Sequence, residues 1–158
     1  EVGFANLQRR RHDAALEAYR YAVTLNPNDA DILAELGDAL ICSGQPEDAL
    51  RHLERAIRLN PRPPDWYLWN LGGALFDLKR YDDVIKTVSK MVDPTEGRRL
   101  LAASCAYLGR TEEAARHAQE VLNAHPRFST AEWRSKAPFR SEEALDHFLT
   151  GLRLAGLP

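Results

Sequence analysis

The 158-residue chain is poor in sulfur, with two cysteines and one methionine. Cys42 and Cys105 stand far apart, and neither has a neighbour at a metal-ligand spacing. The pattern argues against a disulfide framework or a thiolate metal site and reads as two small buried side chains. The five histidines, His12, His52, His117, His125 and His147, form no HExxH or related pattern. His117 and His125 stand eight positions apart, too far to share an ion without a third ligand between them. The sequence has no P-loop, no GxGxxG and no GxSxG, so the expectation is a non-enzymatic chain with no catalytic residues, no metal and no cofactor. Acid pairs are present at Asp82-Asp83, Glu112-Glu113 and Glu142-Glu143, each in the first turn of an expected helix, where it complements the helix dipole. The sequence also lacks an apolar run long enough to cross a bilayer and a secretory leader pattern. Charge of one sign is scarce too: charged residues make up 28% of the chain and the formal net charge is −2. That balance gives no reason to expect nucleic acid or an acidic membrane as partner. The cytoplasm is the expected compartment, or the periplasm if a parent chain carries a transmembrane segment upstream.

What the sequence does have is helical periodicity. From Ala30 to Pro61 it reads ADILAELGDALICSGQPEDALRHLERAIRLNP. Leu33, Leu36, Gly37 and Leu40 share one helical face; Ala49, Leu53, Ala56 and Ile57 share another. Between them, Gly44 suits the left-handed end of a helix and Pro46 suits the first turn of the next. The result is an antiparallel helical hairpin whose two apolar stripes need each other. The order Leu33, Leu36, Gly37, Leu40, Ala49, Leu53, Ala56, Pro61 resembles a tetratricopeptide (TPR) repeat, with leucine at the aromatic positions of the family pattern. The resemblance implies an all-α, right-handed TPR superhelix of antiparallel helix pairs, and a protein-interaction role.

The repeat recurs along the chain. Ala15, Tyr19, Ala22 and Pro27 precede their counterparts Ala49, Leu53, Ala56 and Pro61 by one repeat length, so residues 1–27 read as a partial repeat. A chain that opens inside the first helix of a repeat is expected to be a piece of something longer, preceded by further repeats. Residues 28–61 form a complete repeat, with Asn28 and Asp29 available to cap it. Residues 62–94 form a third, opened by Pro63-Pro64-Asp65 and carrying Leu68, Leu71, Gly72 and Leu75. Its second helix is expected to lose about one turn and to change the superhelical pitch locally. Asp93-Pro94-Thr95-Glu96 reads as the cap, first-turn proline and capping-box acid of a fourth repeat at 95–126. Residues 127–158 do not follow the repeat. Ser129 to Glu132 suggests a short helix holding Trp133, and Ser141 to about Ala155 suggests a capping helix with Leu145, Phe148, Leu149 and Leu152 on one face.

The segments PPDWYLWNLGGALF, AYLGRTEEAARHAQEVLNAHPRFS and HFLTGLRLAGLP together resemble the C-terminal region of bacterial proteins that pair a class III adenylate/guanylate cyclase domain with TPR repeats. The resemblance implies a regulatory, protein-binding element of a signalling protein. Similar tails also follow winged-helix transcriptional regulators, which keeps a second context open. No cyclase catalytic residue can be assigned in this chain.

In stacked repeats the first helix of each pair lines the concave side. That places Asp31, Ala34, Asp38 and Ile41 there, then Trp66, Trp69, Gly73, Phe76 and Asp77, then Glu96, Arg99, Ala103, Ala106 and Tyr107. Trp66, Trp69, Phe76 and Tyr107 are expected to make an aromatic floor, with Ile41 beside it and Asp38, Asp77 and Arg99 as polar handles; aromatic residues and arginine most often anchor interfaces. Tyr67 is expected to point at the neighbouring helix. Three occupants stay open: the tail folded back over the aromatics, a protein or peptide partner, or a second copy of the chain.

Overall fold

A computed structural model describes residues 2–158, and among them it holds ten helices and no strand. They form four pairs, α1 (Val2–Gln8) with α2 (His12–Leu25), α3 (Ala30–Cys42) with α4 (Pro46–Leu59), α5 (Asp65–Asp77) with α6 (Tyr81–Val88), and α7 (Arg98–Tyr107) with α8 (Thr111–Ala124). A short α9 (Thr130–Lys136) and a final α10 (Glu142–Leu154) follow. Each pair packs on the next, and α10 packs on α7. The architecture is a TPR superhelix closed by a C-terminal helix.

Small side chains set the spacing within a pair. A Cβ added at Gly37 would lie 2.6 Å from Leu53 Cγ, and Leu53, Ala49 and Ala56 on the facing helix are fully buried. Gly37→Val is expected to cost about 1–3 kcal/mol by overpacking, read from urea unfolding. An unchanged midpoint would mean that the helices are not held together at this crossing. Asp29 Oδ1 accepts the Ile32 amide at 3.1 Å and starts α3. Gly44, at φ 77°, ends it, and Gln45 N–H donates back to the Leu40 carbonyl at 2.9 Å. Lys79 performs the same turn after α5 at φ 59° without being glycine.

The third pair departs from the others. Its second helix, α6, has 8 residues where α2, α4 and α8 have 14. The helix expected to open at Pro94 instead begins at Arg98. Asp93 is the reason: its Oδ1 accepts from both the amide and the hydroxyl of Thr95, so it caps a tight turn rather than a helix. The Asp65 carboxylate holds that turn from the other side by accepting the amides of Val92 and Asp93, at 2.8 and 2.7 Å.

The tail is bound along its length. Ser141 Oγ accepts the Ala144 amide and caps α10. Phe148, Leu149 and Leu152 are buried, each contributing about 1.5–3 kcal/mol by area removed from water. Gly151 lets α10 reach α7, because a Cβ there would lie 2.8 Å from both Ala103 Cβ and Tyr107 Cε2. Before α10 the chain crosses back toward the first repeats. Arg10 Nη2 donates to the carbonyl of Ala137 at 2.9 Å, Arg140 N–H donates to the Cys42 carbonyl at 2.7 Å, and Arg140 pairs with Asp13.

Candidate functional site

The tail divides the expected aromatic floor. Phe76 lies under α10, edge-on to Phe148 with centroids 5.4 Å apart. Tyr107 stacks on His147 at 4.5 Å and donates its hydroxyl to the His147 carbonyl at 2.6 Å. Tyr81 completes the cluster, with its hydroxyl 2.9 Å from His147 Nε2. Burial depresses the His147 pKa, and Lys79 adds to the effect. The expectation that Ile41 and Phe76 face a partner therefore needs correction: they are only 6% and 1% exposed. The sequence showed that the tail had an apolar face, but a one-dimensional pattern cannot say which surface that face will cover.

Trp66 and Trp69 stay outside this cover. Trp66 is 38% exposed and Trp69 half-buried. With Phe4, Tyr19, Glu35, Asp38 and Asn70 they line an open groove of about 340 Å³. Tyr67 turns the other way, is fully buried and donates its hydroxyl to Asp31 at 2.5 Å. Arg99 is engaged within the chain, sitting 5.5 Å over the Trp69 ring and paired with Glu96. Glu35 was not among the residues expected here. Its signal was available, since it stands one helical turn from Asp31 and Asp38 on the same element.

Behind the open groove lies a second space, a cavity of about 160 Å³ between α3, α5 and the tail. It shares Asp38, Trp69 and Asn70 with the groove, so the two lie side by side. Its walls include the rings of Trp69, Phe76, Trp133, Phe139 and Phe148. Its polar groups are mainly acidic. Asp77 Oδ2 is buried without a hydrogen-bond partner. Burial alone pushes the Asp77 pKa up to about 7. Asp38 is pushed up to about 6, by burial first and by the neighbouring Glu35 second. No arginine, lysine or histidine lines this cavity. Cys42, also on its wall, has its thiol pKa raised by burial and then by both aspartates, which leaves it a poor nucleophile.

A wider depression of about 560 Å³ lies between α7, α8 and α9. Lys136 pairs with Glu132 there, Arg99 pairs with Glu96, and His125 Nε2 lies 3.3 Å from the same Glu96 carboxylate, while Arg127 lines the depression without an ion pair among the described residues. Among the described residues no cluster of histidine, cysteine and carboxylates could hold a metal ion, and no helix is long and apolar enough to cross a membrane.

Helix pairs stacked one on the next, with an aromatic and acidic groove along one side, define a helical-repeat scaffold. Known proteins agree at the level of fold. Residues 6–68 match the tetratricopeptide repeat family model. The small glutamine-rich tetratricopeptide repeat-containing protein 2 of Mycosarcoma maydis is 28% identical over 100 residues, which is 63% of this chain; the chain spans only 28% of that relative's length. MamA from Desulfovibrio magneticus RS-1 superposes with a TM-score of 0.70 at 18% identity, covering 97% of this chain and 90% of that one. YrrB, described as a TPR protein with an unusual peptide-binding site, superposes with a TM-score of 0.63 at 21% identity, covering 98% and 87%.

Proposed function

We propose that the chain is a non-catalytic protein-interaction module that takes an extended partner segment along the open groove between Glu35 and Trp66. The observation that carries this reading is the pairing of exposed aromatic surface with acid groups: Phe4, Trp66 and Trp69 beside Glu35 and Asp38, with no arginine, lysine or histidine among the described residues that line the groove. Aromatic faces supply contact area at low entropy cost, and an acidic lining selects for a basic segment. The peptide-binding description of YrrB, a neighbour in fold, supports the same use of the scaffold.

The context is that of a regulatory region of a cyclase-type signalling protein. Support for it comes from sequence resemblance in the PPDWYLW and HFLTGLRLAGLP segments. The second of these is the tail docked on α7, so its residues have a structural duty as well. A second reading, self-association, is favoured by one observation: Val2, Phe4, Tyr21 and Leu25 are all exposed at the end formed by the first pair. Sedimentation separates them, since a tight dimer supports assembly and a monomer supports recognition of another chain.

Selection of random peptides against the chain is expected to enrich lysine- and arginine-containing sequences. Trp66→Ala and Glu35→Lys are each expected to weaken the selected peptides at least about tenfold, as for central interface residues, while leaving helicity unchanged. Absence of any enriched peptide, or equal binding to both variants, would overturn the proposal.

A further inference from the structure

The cavity behind the groove has a composition that apolar packing does not explain. A space of about 160 Å³ is close to the size of an engineered apolar cavity that holds benzene, about 150 Å³. This one is walled by five aromatic rings, yet it also carries two aspartates. A buried carboxylate without a partner is costly, and proteins ordinarily pair it or replace it. Here Asp77 Oδ2 has no donor at all, and no basic side chain reaches the cavity from α3, α5 or the tail. The nearby charges lie outside it: Glu35 in the open groove, and Lys79, Glu143, Asp146 and His147 on the far side of Asp77. Arg99, which stacks on Trp69, pairs with Glu96 through Nη2, leaves its Nε buried without a partner, and lines the separate depression beside α9 rather than this cavity.

Aromatic faces attract cations, and more strongly where water is excluded. Carboxylates supply the counter-charge. We propose that this cavity receives one primary ammonium group, presented as the lysine side chain of the bound partner segment, with Asp38 and Asp77 as its counter-ions and Trp69 and Trp133 as its walls. The lysine reaches it through the part of the groove shared by Asp38, Trp69 and Asn70. The partner as the source of that lysine rests on the interaction reading above, whereas the affinity of the cavity for ammonium does not.

Two of the chain's three tryptophans line the cavity, so intrinsic fluorescence reports its occupancy. The probes are n-butylammonium chloride, its neutral analogue n-butanol, and N-acetyl-lysine methylamide, titrated into the full chain. Saturable quenching by butylammonium and by the lysine amide, absent with butanol, is expected. Asp77→Asn and Asp38→Asn are each expected to weaken it at least about tenfold, since a charge-assisted contact is lost, and circular dichroism of both variants checks that they remain folded. Equal responses to butanol and butylammonium, or an unchanged response in Asp77→Asn, would overturn the assignment. Binding of butylammonium without the lysine amide would overturn the lysine as its source. A silent cavity in a chain that still selects peptides defeats this inference alone. An ammonium-responsive cavity in a chain that selects none defeats the interaction reading, and the lysine with it.

Discussion

Asp77→Asn is expected to stabilise the protein by about 2–4 kcal/mol at about pH 8 and to have little effect near pH 4. The sign follows from burial. The carboxyl group titrates at 3.8 when unperturbed and at about 7 in the folded chain. Between those values the folded state holds the proton and the unfolded state has released it. Stability therefore falls as pH rises through this window, and the full cost is present above the folded value. Asparagine keeps the shape and removes the charge, so the variant should lose this slope. Asp38, pushed up to about 6, adds a smaller decline over the lower part of the same window. Urea unfolding of both proteins at several pH values checks the prediction; parallel curves would show that Asp77 is solvated or paired. Butylammonium, if it occupies the cavity, should recover part of the wild-type loss at the higher pH and none in the variant.

Phe148→Ala is expected to cost about 3–5 kcal/mol, the range for removing a buried phenylalanine. Phe148 is 6% exposed and joins two parts of the chain, edge-on to Phe76 at 5.4 Å and 5.1 Å from the Trp133 ring. Its loss opens the cavity from the tail side and uncovers Phe76. Unfolding followed by tryptophan fluorescence should show the loss at Trp133 first, because that ring sits in the tail. An unchanged midpoint by both fluorescence and circular dichroism would mean that the tail rests on the repeats without stabilising them.

The two predictions bear on one arrangement. The tail closes one side of the cavity and so adds to the burial that raises the carboxylates. A single segment thus links stability, pH response and access to the inner face. Loosening the tail by Phe148→Ala should bring the behaviour of Asp77 back toward that of an ordinary carboxylate, a coupling that a double variant would read as non-additive.

Some of this was legible before any coordinates. The helix faces that carry Gly37 and Leu53, the turn at Gly44, the cap at Asp29 and the apolar face of the last helix all follow from local rules, because each depends on residues a few positions apart or on one repeat length. The start of α7 did not follow, since Asp93 has equally good local partners for a turn and for a helix, and Asp65, far away in sequence, is what holds the turn. The groove was half legible. Trp66 and Trp69 were placed by periodicity, whereas Phe76 and Ile41 were removed from the surface by a segment that periodicity could not dock.

Helix pairing and the stacking of pairs were written in the spacing of small and apolar side chains, because those contacts repeat at fixed intervals along the chain. The partial covering of Asp38 and Asp77 was decided only in three dimensions. It depends on Trp133, Phe139 and Phe148 arriving from the far end of the sequence to close a space that α3 and α5 leave open, and no local pattern encodes where a returning segment will land.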